Sequence, residues 1–305
     1  MQKTIITLLI ILLAGAGIYY FVTSGSSENI DVPENSTPSE STNTENNTEA
    51  EPVSEERKEQ TIIGQSVNGR DIVAYHYGQG ETEVLFVGGI HGGYEWNTTL
   101  VARAAMDHFK ANPTAVPENV TVTIIPSLNP DGLYKVVNAS FDAFTASDVT
   151  ASQTLQESGR FNANDVDLNR NFDCDWQANA TWQSRSVSGG TAAFSEPESK
   201  AIRDYIESNA PEAVVVWYSA AGGVFASSCH NGVLPKTTTL TNLYANASGY
   251  PAFEDFNFYE ITGDMVNWLA KENIPAISVL LTNHSDIEWT KNKAGIEAIL
   301  SHYAN

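Results

Sequence analysis

The chain has 305 residues, 42% of them hydrophobic and 10% aromatic, which is enough for one large core with further segments outside it. Its 37 acidic residues against 16 basic ones give a formal net charge of -21. That balance excludes nucleic acid and an anionic lipid surface as natural direct partners, and acidic solubility is its favoured reading over a cationic partner.

Lys3 precedes an apolar run over residues 5–22, and no Lys or Arg follows until Arg57. The run has the length of a short membrane span, and its flanking charge keeps the N-terminus inside and exports the remainder. Residues 1–23 are therefore expected to be a signal anchor in the membrane. A cleaved signal peptide, with Ala14-Gly15-Ala16 as the small-residue site and a secreted product, is the rival. No cysteine follows that site, which argues against a lipoprotein. Residues 24–60 are Ser, Thr, Asn, Glu and Pro, with ten acidic residues against Arg57 and Lys58. So little apolar area cannot offset ordering entropy, and the segment is expected to be a disordered, self-repelling tether. The expected location is extracytoplasmic, with membrane contact only through the N-terminal segment.

From residue 61 onward strand and helix patterns alternate. Strands are predicted at 61–63, 72–76, 84–87, 120–125, 213–218 and 276–281, several as continuous Val/Ile runs suited to a sheet covered on both faces. A helix is predicted over 98–110, where Leu100, Val101, Ala104, Ala105 and Phe109 share one face. Ser195-Glu196-Pro197-Glu198 reads as a capping box opening a helix that carries Ile202, Tyr205 and Ile206. Thr262 is expected to cap a helix running to Leu269, and residues 291–302 a last helix. The alternation implies an α/β domain with a largely buried sheet.

His91-Gly92-Gly93-Tyr94-Glu95 lies between the strand-like run at 84–90 and the helix-like run at 97–110. An imidazole and a carboxylate four residues apart can share a helical face and offer a zinc ion two ligands. Taken alone, such a pair is more often an ordinary junction with a surface Glu. Other motifs accompany it in order: Ile63-Gly64-Gln65-Ser66-Val67-Asn68-Gly69-Arg70-Asp71-Ile72 before it, then Asn129-Pro130-Asp131-Gly132, Val166-Asp167-Leu168-Asn169-Arg170-Asn171-Phe172 and Tyr259-Glu260-Ile261-Thr262-Gly263-Asp264. The ordered set closely resembles the zinc carboxypeptidase family, the M14 metallopeptidases, over residues 61–305.

The resemblance implies an α/β zinc-carboxypeptidase fold with a mixed eight-stranded sheet flanked by helices. It implies one Zn2+ held by two His and one Glu, with water in the open position. A Glu would take the water proton, and arginines and an asparagine would grip the terminal carboxylate of a peptide and steady the oxyanion. Carried onto this sequence, His91 and Glu95 are the first two metal ligands, one residue further apart than is commonest in the family. Asn169 and Arg170 form the carboxylate clamp. Arg160 is either the oxyanion arginine or a surface arginine. Tyr259 resembles the mobile tyrosine that closes over substrate, with Trp268 nine residues on. Val266 would lie deep in the specificity pocket and favour an apolar terminal side chain; Asp264 would favour a basic one instead. Cys174 and Cys229, the only cysteines, flank segments that converge on this site and are expected to pair, the rival being two buried thiols.

Two positions depart from the family. The third zinc ligand should be a His ending a buried strand just before Ser, and Tyr218 stands there. The general base should be a Glu in a late strand, and Leu280 stands there. No His occurs between positions 213 and 229, and no Glu or Asp between 274 and 284, so a shift of register restores neither. Removing a general base costs about 10²- to 10⁴-fold in rate. Three readings follow. The favoured one is an M14-like domain that recognises peptide or peptidoglycan stem-peptide C-termini, catalytically impaired, with its hold on Zn2+ weakened or lost. The alternative is an active zinc-dependent carboxypeptidase that uses His284, Asp286 or Glu288 as a substitute base. A scaffold that ignores the cleft is the third. A monomer is expected in each.

Overall fold

The computed structural model describes residues 57–304. The expected anchor at 1–23 and all but the last few residues of the tether at 24–60 lie outside the described residues. The chain joins the fold a little before residue 61, because Arg57 Nη1 reaches the buried Glu83 carboxylate at 2.6 Å. Among the described residues, no helix is long and apolar enough to cross a membrane.

The strands are β1 (Gln60–Gln65), β2 (Asp71–Tyr77), β3 (Thr82–Val87), β4 (Val120–Ile125), β5 (Asn179–Trp182), β6 (Arg185–Ser188), β7 (Ala213–Ser219), β8 (Gly223–Ala226), β9 (Ala252–Phe253) and β10 (Ala276–Leu281). Eight of them form one mixed sheet in the order β1-β2-β4-β3-β7-β10-β8-β9, and β5 and β6 make a separate hairpin. The four central strands, β4, β3, β7 and β10, run parallel to one another. These include the continuous apolar runs of the sequence, and each is buried along nearly its whole length.

The helices are α1 (Trp96–Ala111), α2 (Pro130–Val137), α3 (Gln153–Ser158), α4 (Pro197–Asn209), α5 (Pro235–Ser248), α6 (Met265–Lys271) and α7 (Trp289–Tyr303). Alternating strand residues sort into two cores. Val84, Phe86, Val215, Trp217, Ile277 and Val279 pack under α1, α5 and α7 through Phe109, Tyr244 and Ile299. Leu85, Val87, Val214, Val216, Tyr218 and Leu280 face the other way, towards Ile202 and Tyr205 of α4 and Met265 and Trp268 of α6. The mixed eight-stranded sheet flanked by helices is the architecture expected from the resemblance. Tyr218 and Leu280 lie side by side on it, because β7 and β10 pair in register at those residues.

Two expected caps are placed differently. Helix α4 begins at Pro197 with Glu196 as its cap, and no capping box forms there. The carboxylates are used at longer range: Glu196 accepts from Asn162, Asn164 and Ser195, and Glu198 from Asn162 and the Val67 amide. Helix α6 is capped by Asp264, whose carboxylate accepts the Asn267 N–H at 3.0 Å. Thr262 lies two residues too early, and its hydroxyl makes no hydrogen bond.

Candidate active site

Beyond β3 the chain turns through Gly88 and Gly89 to His91. Gly92 follows at φ +46°, and a Cβ there would lie 2.5 Å from the Gly159 carbonyl oxygen, so the turn needs glycine. Residues Gly92–Glu95 form a 3₁₀ turn that ends where α1 begins. His91 and Glu95 therefore face each other across a tight turn, rather than along one face of α1 as the spacing suggested. The turn absorbs the extra residue, and His91 Nδ1 still lies 2.9 Å from Glu95 Oε1.

Both residues are buried. Glu95 Oε2 accepts the Ser219 N–H at 2.9 Å, which leaves Oε1 facing His91. Neither ring nitrogen of His91 has a hydrogen-bond partner. Nδ1 and Oε1 therefore approach closely without hydrogen-bond geometry. Burial, then Arg160 and Arg170, hold the imidazole well below its ordinary pKa, so it is neutral. Burial pushes the Glu95 carboxyl up to about 8, against the pull of Arg160 and of the Ser219 amide.

Arg160 is not a surface arginine. It is 2% exposed, its Nε donates to Asp167 Oδ2 at 2.8 Å, and its Nη1 lies 3.9 Å from Glu95 Oε1. The indole of Trp182, on the β5–β6 hairpin, lies 4.5 Å under its guanidinium. Asp167 also approaches His91 Nε2, at 3.7 Å. Asp167 lies two residues before Asn169 inside a motif already singled out, so proximity in sequence was the signal for it. Trp182 carried none.

Asn169 and Arg170 come from a 3₁₀ turn, Leu168–Arg170, held by the Asp167 carboxylate on the Asn169 amide. Arg170 donates from Nε to Thr181 O at 3.0 Å and from Nη1 to Asn169 O at 2.6 Å. Its Nη2 is buried without a partner, and the residue lines the cavity described below. Tyr259 lines the same cavity, its ring centroid 6.0 Å from the Arg170 guanidinium. Asp264 lines it too, but its oxygens accept from Asn267 N and Asn169 Nδ2. It therefore holds the Asn169 amide and caps α6, and is less available to attract a basic substrate side chain than the sequence suggested.

These side chains surround a cavity of about 740 Å³. Its walls include Val266, Ser278 and Leu280, and at the mouth Phe256 and the exposed Phe258. Leu280 is 8% exposed and lines the cavity. Of the three substitute bases, only His284 lines the cavity. Asp286 accepts from Asn283, and Glu288 from Thr282, Tyr250 and Lys291. Asn97 Nδ2 donates to two carbonyls, Asn283 O and Asp286 O, so its Oδ1 must accept. Ser219 Oγ gives that oxygen its only proton, at 3.1 Å. His284 Nδ1, 2.9 Å from Ser219 Oγ, must then be the protonated nitrogen, and Nε2 keeps the lone pair. Ser219 entered the sequence reading only as the residue after Tyr218, and Asn97 belonged to no motif, so the sequence offered no signal for this chain of bonds. Cys174 and Cys229 are joined by the expected disulfide, with Cα atoms 6.2 Å apart.

The donor set can be tested against zinc. With bonds of about 2.0 Å, neighbouring ligands of a tetrahedral ion lie roughly 3.3 Å apart, and His91 Nδ1 and Glu95 Oε1 come near that separation. Two corners are thus in place. The third is not: Tyr218 donates its hydroxyl to Asn169 Oδ1 at 3.2 Å, and burial, then Asp264 and Glu95, push its phenol well above its ordinary pKa. Among the described residues, the one gathering of three His, Cys, Asp or Glu ligands is Cys174, Asp175 and Cys229, whose sulfurs are bonded to each other. The residues do not supply the three protein ligands of a catalytic zinc centre.

Three comparisons bear on this arrangement. The family model described as zinc carboxypeptidase matches residues 53–289. A gamma-D-glutamyl-L-diamino acid endopeptidase from Lysinibacillus sphaericus is 25% identical over 218 residues, which are 65% of this chain and 54% of that protein, so the match spans about half of the relative. Among solved structures, bovine thrombin-activatable fibrinolysis inhibitor superposes with a TM-score of 0.63 at 18% identity, over 80% of this chain and 89% of that one. The murein-tripeptide amidase MpaA from Escherichia coli O157 does so with a TM-score of 0.55 at 21% identity, over 79% and 90%. These two likenesses show a shared fold. With most of the chain matched by the family model and the sheet in agreement, the protein belongs to the zinc carboxypeptidase family, whose members are zinc-dependent.

Proposed function

We propose that this chain is a recognition form of the carboxypeptidase scaffold, which binds the free C-terminus of a peptide outside the cytoplasm and hydrolyses it poorly or not at all. One observation carries this reading: the cavity keeps a buried guanidinium nitrogen without a partner, Arg170 Nη2, while Leu280 lines the wall where a proton acceptor is needed. An unpaired buried donor of this kind is costly unless a ligand completes it, and a carboxylate is the natural complement. Arg170 Nη2 and the remaining Nδ2–H of Asn169 would hold the carboxylate, and Tyr259 would close over it. Val266 and the aromatic rim would take the terminal side chain. Zn2+, held by His91 and Glu95 alone, would be bound weakly or not at all; when bound it would supply a Lewis acid beside the clamp. The activities for which the bacterial endopeptidase and the murein amidase are named favour peptidoglycan stem peptides as the ligand class. Residues 1–23 would tether a monomer to the membrane, or be removed on secretion.

The test is a double restoration, Tyr218→His with Leu280→Glu. The parent should bind free-acid peptides with little zinc and no trimming. The restored protein should take up near-stoichiometric zinc and release C-terminal residues at least about 10²-fold faster. Brisk trimming by the zinc-loaded parent would sink the reading.

His284 favours a second reading, an active enzyme with a rebuilt site. Its Nε2 lone pair is free, and its tautomer is fixed by Ser219 and Asn97. In that case His284→Ala would abolish the parent's activity, and a chelator would too.

A further inference from the structure

The residue that replaces the third metal ligand has an interaction of its own. Tyr218 projects from the end of β7 into the floor of the cavity, and its hydroxyl lies 3.2 Å from Asn169 Oδ1. The Met265 N–H reaches the same oxygen at 3.1 Å, and Asn169 Nδ2 donates to Asp264 Oδ2 at 2.8 Å. The carbonyl oxygen has two lone pairs, and both are used. The amide nitrogen has two hydrogens, and one is used. A flipped amide would set its oxygen against the Asp264 carboxylate and its NH₂ against the Met265 N–H, so the orientation is fixed. A phenylalanine at 218 would fill the same space beside His91, whose ring centroid is 5.4 Å away. Only the hydroxyl reaches the clamp.

We infer that Tyr218 is a positioning residue for C-terminal carboxylate recognition: it holds Asn169 so that the free Nδ2–H and the neighbouring Arg170 Nη2 meet one carboxylate. The position has changed from gripping a metal to gripping the clamp. The inference rests on the recognition reading above, and adds that selectivity for a free C-terminus depends on one hydroxyl.

The experiment measures binding of an N-acetylated tetrapeptide ending in leucine to the full-length chain, as the free acid and as the C-terminal amide. The ratio of the two dissociation constants reads the clamp alone, because a general loss of structure weakens both ligands together. Tyr218→Phe should lower that ratio about three- to tenfold, the loss expected of one neutral hydrogen bond. Asn169→Ala should lower it at least as far, and the double variant no further than Asn169→Ala, since the tyrosine acts through the asparagine. Should Tyr218→Phe fail to give a cooperative thermal melt, Tyr218→Met lacks the hydroxyl, adapts its packing and reads the same ratio. An unchanged ratio in the position-218 variant, with a lowered one in Asn169→Ala, overturns the inference and leaves the recognition reading standing. A ratio of one in the parent overturns both.

Discussion

Arg160 carries its charge in the interior, and it is the residue on which the other charges of the site depend. Asp167 is 0% and Glu95 2% exposed, and the guanidinium is the cation that faces both. A buried charge left without its partner is far costlier than the intact pair is favourable. Arg160→Met should therefore lower unfolding free energy by about 3–5 kcal/mol in a urea titration. Arg185→Met, on the exposed Arg185–Glu157 pair, should leave it almost unchanged. A cost for Arg160→Met as small as that for Arg185→Met would mean that water reaches Asp167 and Glu95. The sequence left Arg160 open between these two roles, because an isolated arginine has no pattern of its own. Burial and the two carboxylates rule out the surface reading.

At the scale of elements, Glu288 ties the end of β10 to the start of α7. Its carboxylate accepts from the Thr282 N–H and hydroxyl, from Tyr250 and from Lys291. Burial opposes the charged form, but those bonds outweigh it and bring the pKa from 4.5 down to about 2. A pKa depressed by folding gives stability that is present above 4.5 and is lost as pH falls towards 2. Glu288→Gln should cost about 1 kcal/mol near pH 6, a figure discounted for partial exposure, and the gap to the parent should close in urea titrations taken down to about pH 3. A gap that does not vary with pH would show that the charge contributes nothing. The same scale explains what could be read from the chain. All six strands expected from the sequence are present: four are largely apolar runs because they are buried on both faces, while β2 alternates buried and less buried residues and β1 is largely exposed. Strands β8 and β9, of four and two residues, and the β5–β6 hairpin are too short to show a period. The capping box of α4 did not form because Glu196 and Glu198 bond to Asn162, which no local pattern records, whereas at α6 the cap is local and lies two residues later than expected, at Asp264.

For the whole molecule, the motifs in order gave the family, the sheet and part of the cavity wall, since His91, Glu95, Asn169, Arg170, Tyr259, Asp264 and Val266 all line it. What they could not give is the network that depends on folded proximity: Tyr218 on Asn169, and the chain from Asn97 through Ser219 to His284. Charge acts at the same scale. The chain carries a formal net charge of -21, so an anion approaching the proposed carboxylate site meets repulsion at long range and arginines only at contact. The screening length falls from roughly 30 Å at 0.01 M salt to about 8 Å at 0.15 M. Repulsion that spans the approach at low salt is then confined to the last few ångströms, while the buried guanidiniums keep their short-range hold. Raising salt over that range should speed association of an acetylated free-acid peptide about severalfold, and slow that of the same peptide extended by two lysines, with little change in either dissociation rate. Stopped-flow measurements with the two peptides decide the matter. If salt moves both association rates in the same direction, the overall field does not act at the cleft, and local charge alone governs the encounter.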